Sequence, residues 1–245
     1  MFTRFFRGKA LLTQLCGRIT LRMIHNLASE NVANLQFYFA HWLDSSDRTS
    51  GDHVLSSLLL DVDHPKRSFI VYMLVSMAAA KFWNDAKEHK EFYLAAKSKN
   101  PFKSAHADVI ISEALIFFWY SIFLFVSRAV NADELEEADL EATKNASGSI
   151  GHIIRETTGW PITSIFASRI DEYGKRASNE TPTDVFSRIL LRSIGKRTID
   201  EPDHHLDPLN LDSTPVVMFT MTHVTAWLPG YCKIYENVVH HYPMD

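Results

Sequence analysis

Glu113 is the residue whose type and setting point most directly to chemistry. It stands just before the apolar run Ala114 to Val126 (ALIFFWYSIFLFV), and no cation follows it until Arg128. A buried carboxylate in such a setting needs a partner or gives up its charge. His106 lies seven residues earlier on the same helical face, with Asp108 close by. A Glu, His and Asp set on one apolar helix can exchange protons with a bound molecule. The competing expectation is a structural ion pair, because such pairs also perturb acidity. Trp119, Tyr120 and Phe123 follow along the same helix, interleaved with Phe117, Phe118 and Phe125. These rings would line an apolar cavity for a small ligand beside Glu113, or else pack on one another as core.

The other candidates are metal-ligating. The chain holds 12 histidines, and Asp203, His204 and His205, with Asp207 nearby, combine oxygen and imidazole donors suited to a hard or borderline ion. Asp61, Asp63 and His64 form a second such group. Both sets also suit hydrated loops with an Asp helix cap. Asp203-His204-His205 resembles the signature triplet of a phosphoesterase family, over three residues only, without the alternating strands and second Asp motif such enzymes need. Glu201 and His204 have Glu-x-x-His spacing, but a di-iron bundle needs that motif twice, on helices. His-Glu-x-x-His, an adjacent His-Asp pair, a Gly-x-Ser-x-Gly elbow and a Gly-rich phosphate loop are all missing from the sequence. Glu236 and His240 sit one turn apart, as ordinary surface neighbours do. The pairs Lys175-Arg176 and Lys196-Arg197 would make an anion patch if they converged, although cations beside a helix C-terminus need no ligand to explain them. No cofactor is implied.

Composition bounds the classes. The 245 residues are 46% hydrophobic, 22% charged and 12% aromatic, as in a folded protein. Nine glycines and no Asn-Gly or Asp-Gly pair leave little material for tight hairpins. A net charge of −4 argues against a nucleic-acid backbone as partner. The two cysteines, Cys16 and Cys232, form no Cys-x-x-Cys pair and point to a reducing, cytoplasmic setting. The runs Ser68 to Ala80 and Ala114 to Val126 are 13 residues each. A membrane span needs about 20, so both read as buried core helices and argue against an integral membrane protein.

Helical punctuation organises the rest. Thr3 to Ala28 is an Arg-bearing amphipathic segment with no acid before Glu30. It reads as a first helix packed on the body, with a targeting or membrane-surface helix as the alternatives. Further helices are expected over Ser29–Leu43, Asp52–Leu60, Pro65 to about Lys97 and Ser104–Val130. Asn131 with Glu134 should restart a helix whose charged stretch to Lys144 faces water. Asn145 to Gly151 reads as a flexible joint. Pro161 and Pro182 each open a helix that glycine closes thirteen residues on, at Gly174 and Gly195. Ile199 to Ser213 reads as an acidic loop, and Pro215 to Leu228 as a helix rich in β-branched residues. Pro229-Gly230 should turn the chain into a short last helix.

The sequence therefore predicts an all-α, compact multi-helix bundle of roughly nine to eleven helices around two central apolar helices. It reads as a single domain over residues 1–245, with a soft division near 145–151. The expected function is a non-enzymatic interaction or regulatory protein acting through a protein partner or self-association as a homodimer. The alternatives are a bundle binding a small apolar ligand at Glu113, His106, Trp119, Tyr120 and Phe123, and a metal-dependent hydrolase using Asp203, His204 and His205.

Overall fold

Ser68 to Ala80, the first apolar run, is the body of a helix because no position in it breaks the 3.6-residue repeat and Ile70, Val71, Leu74, Val75, Ala78 and Ala79 are buried. The computed structural model describes residues 67–88, 100–158, 162–199, 201 and 214–241. Six α-helices account for most of them: α1 (Arg67–Glu88), α2 (Ala107–Asn131), α3 (Glu137–Thr158), α4 (Ile162–Gly174), α5 (Pro182–Ser193) and α6 (Thr214–His241). A short 3-10 turn spans Pro101–Lys103, and no strand occurs among the described residues. The fold is all-α. The expectations before Arg67, and most of the acidic Ile199 to Ser213 stretch, lie outside the described residues.

The two oily runs form the spine. Ile70, Val71, Leu74, Val75, Ala78, Ala79 and Phe82 of α1 are fully buried, as are Ile110, Ile111, Ala114, Phe117, Phe118 and Ile122 of α2. Helix α2 packs against α1 and α3, α1 also lies on α3 and α6, α5 sits on α2 and α6, and α4 on α3. Helix α2 is the described helix long and apolar enough to cross a membrane, and most of it is covered by its neighbours. Each fully buried large apolar side chain contributes roughly 1.5–3 kcal/mol. At the centre the rings pack directly: Phe117 stacks on Phe186 at 4.2 Å, and Phe82 meets Phe186 and Phe219 at 5.3 and 5.4 Å.

Local chemistry sets the helix ends. Asn100 closes α1 by donating from its side-chain amide to the carbonyls of Ala86 (2.9 Å) and Lys87 (3.1 Å), while its carbonyl oxygen accepts from the Phe102 amide (2.9 Å). Thr181 caps α5 in a reciprocal box with Asp184, and Pro182 takes the first turn as expected. After α2 the chain turns at Asp133, which has φ 59, and the Glu134 amide returns to the Ala129 carbonyl at 2.8 Å. Helix α3 then starts at Glu137 rather than beside Asn131, with the Asp139 carboxylate accepting from the Glu136 amide at 3.0 Å.

Three expectations are corrected. The charged stretch to Lys144 does not simply face water: Asp139, Ala142 and Thr143 are buried. Asn145 to Gly151 is no joint but the middle of α3, where buried Ala146 and Ile150 hold the helix despite Gly148 and Gly151. Pro229 does not end a helix: α6 runs through it to His241. Proline there removes an amide and crowds the Thr225 carbonyl, at a cost of about 3 kcal/mol. Pro229 is on the exposed side, where water reaches the freed carbonyl, and buried Tyr231 and Tyr235 beyond it fasten the continuation to the core.

Candidate functional site

Helix α2 carries Glu113 into the interior with no solvent exposure. Its partners come from two other helices. Arg169 of α4 forms a two-pronged contact, Nε to Oε2 at 2.8 Å and Nη2 to Oε1 at 2.5 Å. The Ser193 hydroxyl of α5 donates to Oε1 at 3.3 Å. Arg169 also reaches Glu172 at 3.3 Å, and Glu172 pairs with Arg192 of α5. The result is a polar chain, Glu113–Arg169–Glu172–Arg192, that ties α2, α4 and α5 together and runs from the buried Glu113 to the partly exposed Arg192. Paired forks of this kind compensate buried charge better than single contacts do. Arg169 was not singled out from the sequence, yet a signal exists. It falls on the buried stripe of α4 with Phe166 and Tyr173, where a cation has no reason to be without an acidic partner.

The remaining candidates on α2 take structural positions. His106 occupies the N-cap of the helix and makes no side-chain capping bond. Asp108 lies in the first turn, and its carbonyl accepts from the Ser112 hydroxyl at 2.6 Å. The Glu113 carboxylate bonds to side chains of α4 and α5. The Trp119 indole donates to the Thr143 carbonyl of α3 at 2.8 Å, stacks on Phe123 at 5.5 Å and meets Phe166 edge-on at 5.1 Å. Tyr120 stacks on Tyr173 at 4.9 Å. Trp119, Tyr120 and Phe123 of the expected cavity lining are each in contact with another aromatic ring.

Asp203, His204 and His205, like Asp61, Asp63 and His64, lie outside the described residues. Among the described residues no group of three or more His, Cys, Asp or Glu side chains converges as a metal site would require. Glu236 is half-buried and His240 exposed on α6. Lys175 pairs with Asp171, and Arg176 donates to the Tyr173 carbonyl at 2.9 Å and to the Tyr120 hydroxyl of α2 at 3.4 Å. Lys196 is buried while Arg197 is exposed, which splits the second pair.

Two further polar clusters escaped sequence reasoning because each spans α1 and α6. In the first, Lys81 pairs with Asp85 at 3.1 Å, His223 Nδ1 lies 3.2 Å from the same carboxylate, and the Lys81 ammonium sits 4.5 Å over the Trp227 ring. Burial alone would raise the Asp85 carboxyl, but the hydrogen bond and charge of His223, then Lys81, outweigh it and hold it below its ordinary value. In the second, Asp139 receives the Tyr235 hydroxyl at 2.9 Å and Arg67 at 3.2 Å, and Arg67 also pairs with Glu136 at 2.8 Å. Burial, then the Asp139 charge, pushes the Tyr235 hydroxyl far up. Cys232 is buried and free, and burial pushes its thiol up to about 12, so near neutral pH it is the thiol and not the nucleophilic thiolate.

The described ionisable groups at these positions hold helices to one another. Their contacts pair charges across helices. No family model, no characterised protein and no solved structure matches the chain.

Proposed function

We propose that this protein is a non-enzymatic helical interaction protein with a regulatory role, and that its first partner is a second copy of itself, met through the outward face of α6. One observation carries the reading. Met218 (49% exposed) and Met221 (39% exposed) are the exposed large hydrophobics among the described residues, and both lie on this face. Thr214, Met218, Met221, Thr222, Thr225 and Pro229 are all exposed and recur at helical spacing. The whole stretch Thr214 to Cys232 contains no Asp, Glu, Lys or Arg.

Depletion of charge at the centre of a patch is what marks protein contacts, and methionine adapts to the shape opposite it. A face without charge also suits its own copy, because a twofold pairing brings no like charges together. The polar clusters support the same reading from inside: the buried acids and bases described above are spent on joining helices. The rings of α2 pack on one another, which makes a small-ligand bundle the weaker alternative. On this proposal the protein is cytoplasmic and the whole chain is one bundle of roughly nine to eleven helices.

The test is sedimentation of the wild type and of a Met218→Lys, Met221→Lys variant across a concentration series. Association by the wild type and a monomeric variant with an unchanged melting temperature are expected. A wild type that stays monomeric throughout, or a variant that associates as well as the wild type, overturns the reading.

A further inference from the structure

The basic pair Lys175-Arg176 stands just before an exposed serine. Of the adjacent cation pairs in the sequence, Lys66-Arg67, Lys175-Arg176 and Lys196-Arg197, it alone has a hydroxyl residue two places after its second member, at Ser178. The structure separates it from Lys196-Arg197 as well. Lys196 is buried, whereas Lys175, Ala177, Ser178 and Asn179 are exposed and Arg176 is half-buried. The link from α4 to α5 buries no side chain between Gly174 and Pro182. It is closed by a tight turn, in which the Ala177 carbonyl accepts from the Glu180 amide at 2.9 Å and the Ala177 amide donates to Glu180 Oε2 at 3.1 Å. Ser178 and Asn179 form the corner of that turn.

Drawing such a segment into the cleft of another enzyme uncovers no apolar surface, so it costs the fold little. The cations are also available. Lys175 is held by a solvent-exposed pair with Asp171, which water screens, and the Arg176 bond to the Tyr120 hydroxyl is long at 3.4 Å. We propose that Ser178 is a phosphorylation site for a serine/threonine kinase that reads cations two and three residues before its target. Two cations at those places pair with an acidic substrate groove, and charge patterns of this kind select one exposed hydroxyl among many. In the transfer, Ser178 Oγ bonds to the terminal phosphorus of a nucleoside triphosphate. The bond from that phosphorus to its bridging oxygen breaks, the nucleoside diphosphate leaves with the electron pair, and the hydroxyl proton passes to the kinase. Thr181 lies in the same link, but its hydroxyl is engaged with Asp184 in the α5 cap and Ser178 and Asn179 stand where the cations are needed. This inference is independent of the α6 contact surface.

The test incubates the folded full chain with the catalytic subunit of cyclic-AMP-dependent protein kinase and magnesium ATP, and maps the phosphate by tandem mass spectrometry. One phosphate per chain, at Ser178, is expected, and Ser178→Ala should abolish it. Lys175→Gln and Arg176→Gln should each slow incorporation about tenfold, as loss of one charge-assisted contact does. Lys175 is an exposed position, so its substitution leaves the fold intact and reads recognition alone. Absence of phosphate at Ser178 in the folded wild type, or a rate that Lys175→Gln and Arg176→Gln both leave unchanged, overturns the proposal.

Discussion

Removing the Arg169 guanidinium would isolate a carboxylate that has no contact with solvent. Breaking a buried pair from one side leaves an uncompensated charge and costs roughly 3–5 kcal/mol. Arg169→Met should therefore lower the unfolding free energy measured by urea titration by that margin, while Arg169→Lys, which keeps the charge but loses the fork, should fall between. A loss in Arg169→Met no larger than that of an exposed-surface substitution would mean the pair is not formed. The need for a partner was readable in the sequence, because Glu113 borders an apolar run with no cation nearby. The partner was not, since it lies 56 residues on, in a different helix. His106 and Asp108 were the plausible neighbours on the same helix, where they take the N-cap and the first turn.

At the scale of elements, local signals were sufficient where the physics is local. Thr181, Pro182 and Asp184 sit within one turn, and their box is visible in the sequence as a pattern. The turn after α2 is less visible, because Asp133 adopts φ 59 without the usual glycine. Aspartate tolerates that conformation and β-branched residues do not. Asp133→Val should cost about 1 kcal/mol in chemical unfolding and Asp133→Gly nothing or a small gain; equal stability of the two variants would contradict the conformation. Pro229 and the Asn145 to Gly151 stretch show the opposite case. Both carry breaker residues, and both are overruled by buried side chains within or just beyond them: Ile150 and Ile154 in α3, Tyr231 and Tyr235 in α6.

Over the whole molecule, the shifted groups give stability a limb at each end of the pH scale. The Asp85 carboxyl is held below its ordinary value of 3.8. Its contribution is complete above that value and is lost as pH falls through the lower, folded-state value, because the unfolded chain takes up the proton first. The Cys232 thiol is raised from 9.0 to about 12. Its contribution is complete below 9.0 and is lost as pH rises toward about 12, where the unfolded chain releases the proton first. Melting temperature against pH should thus show both limbs. Asp85→Asn should flatten the acid limb and Cys232→Ala the alkaline one; a limb unaltered by its substitution would show that other groups set it.

The sequence by itself determined that the chain is helical, where several helices start, and that two apolar runs are buried. These properties depend on periodicity, glycine scarcity and capping, which act over a few residues. Only the tertiary structure decided which charges meet. Arg169 and Ser193 reach Glu113, Asp85 reaches His223, and Asp139 reaches Tyr235 across helices far apart in the chain. Pairing of that kind is set by how helix faces pack, and no spacing along a single chain encodes it.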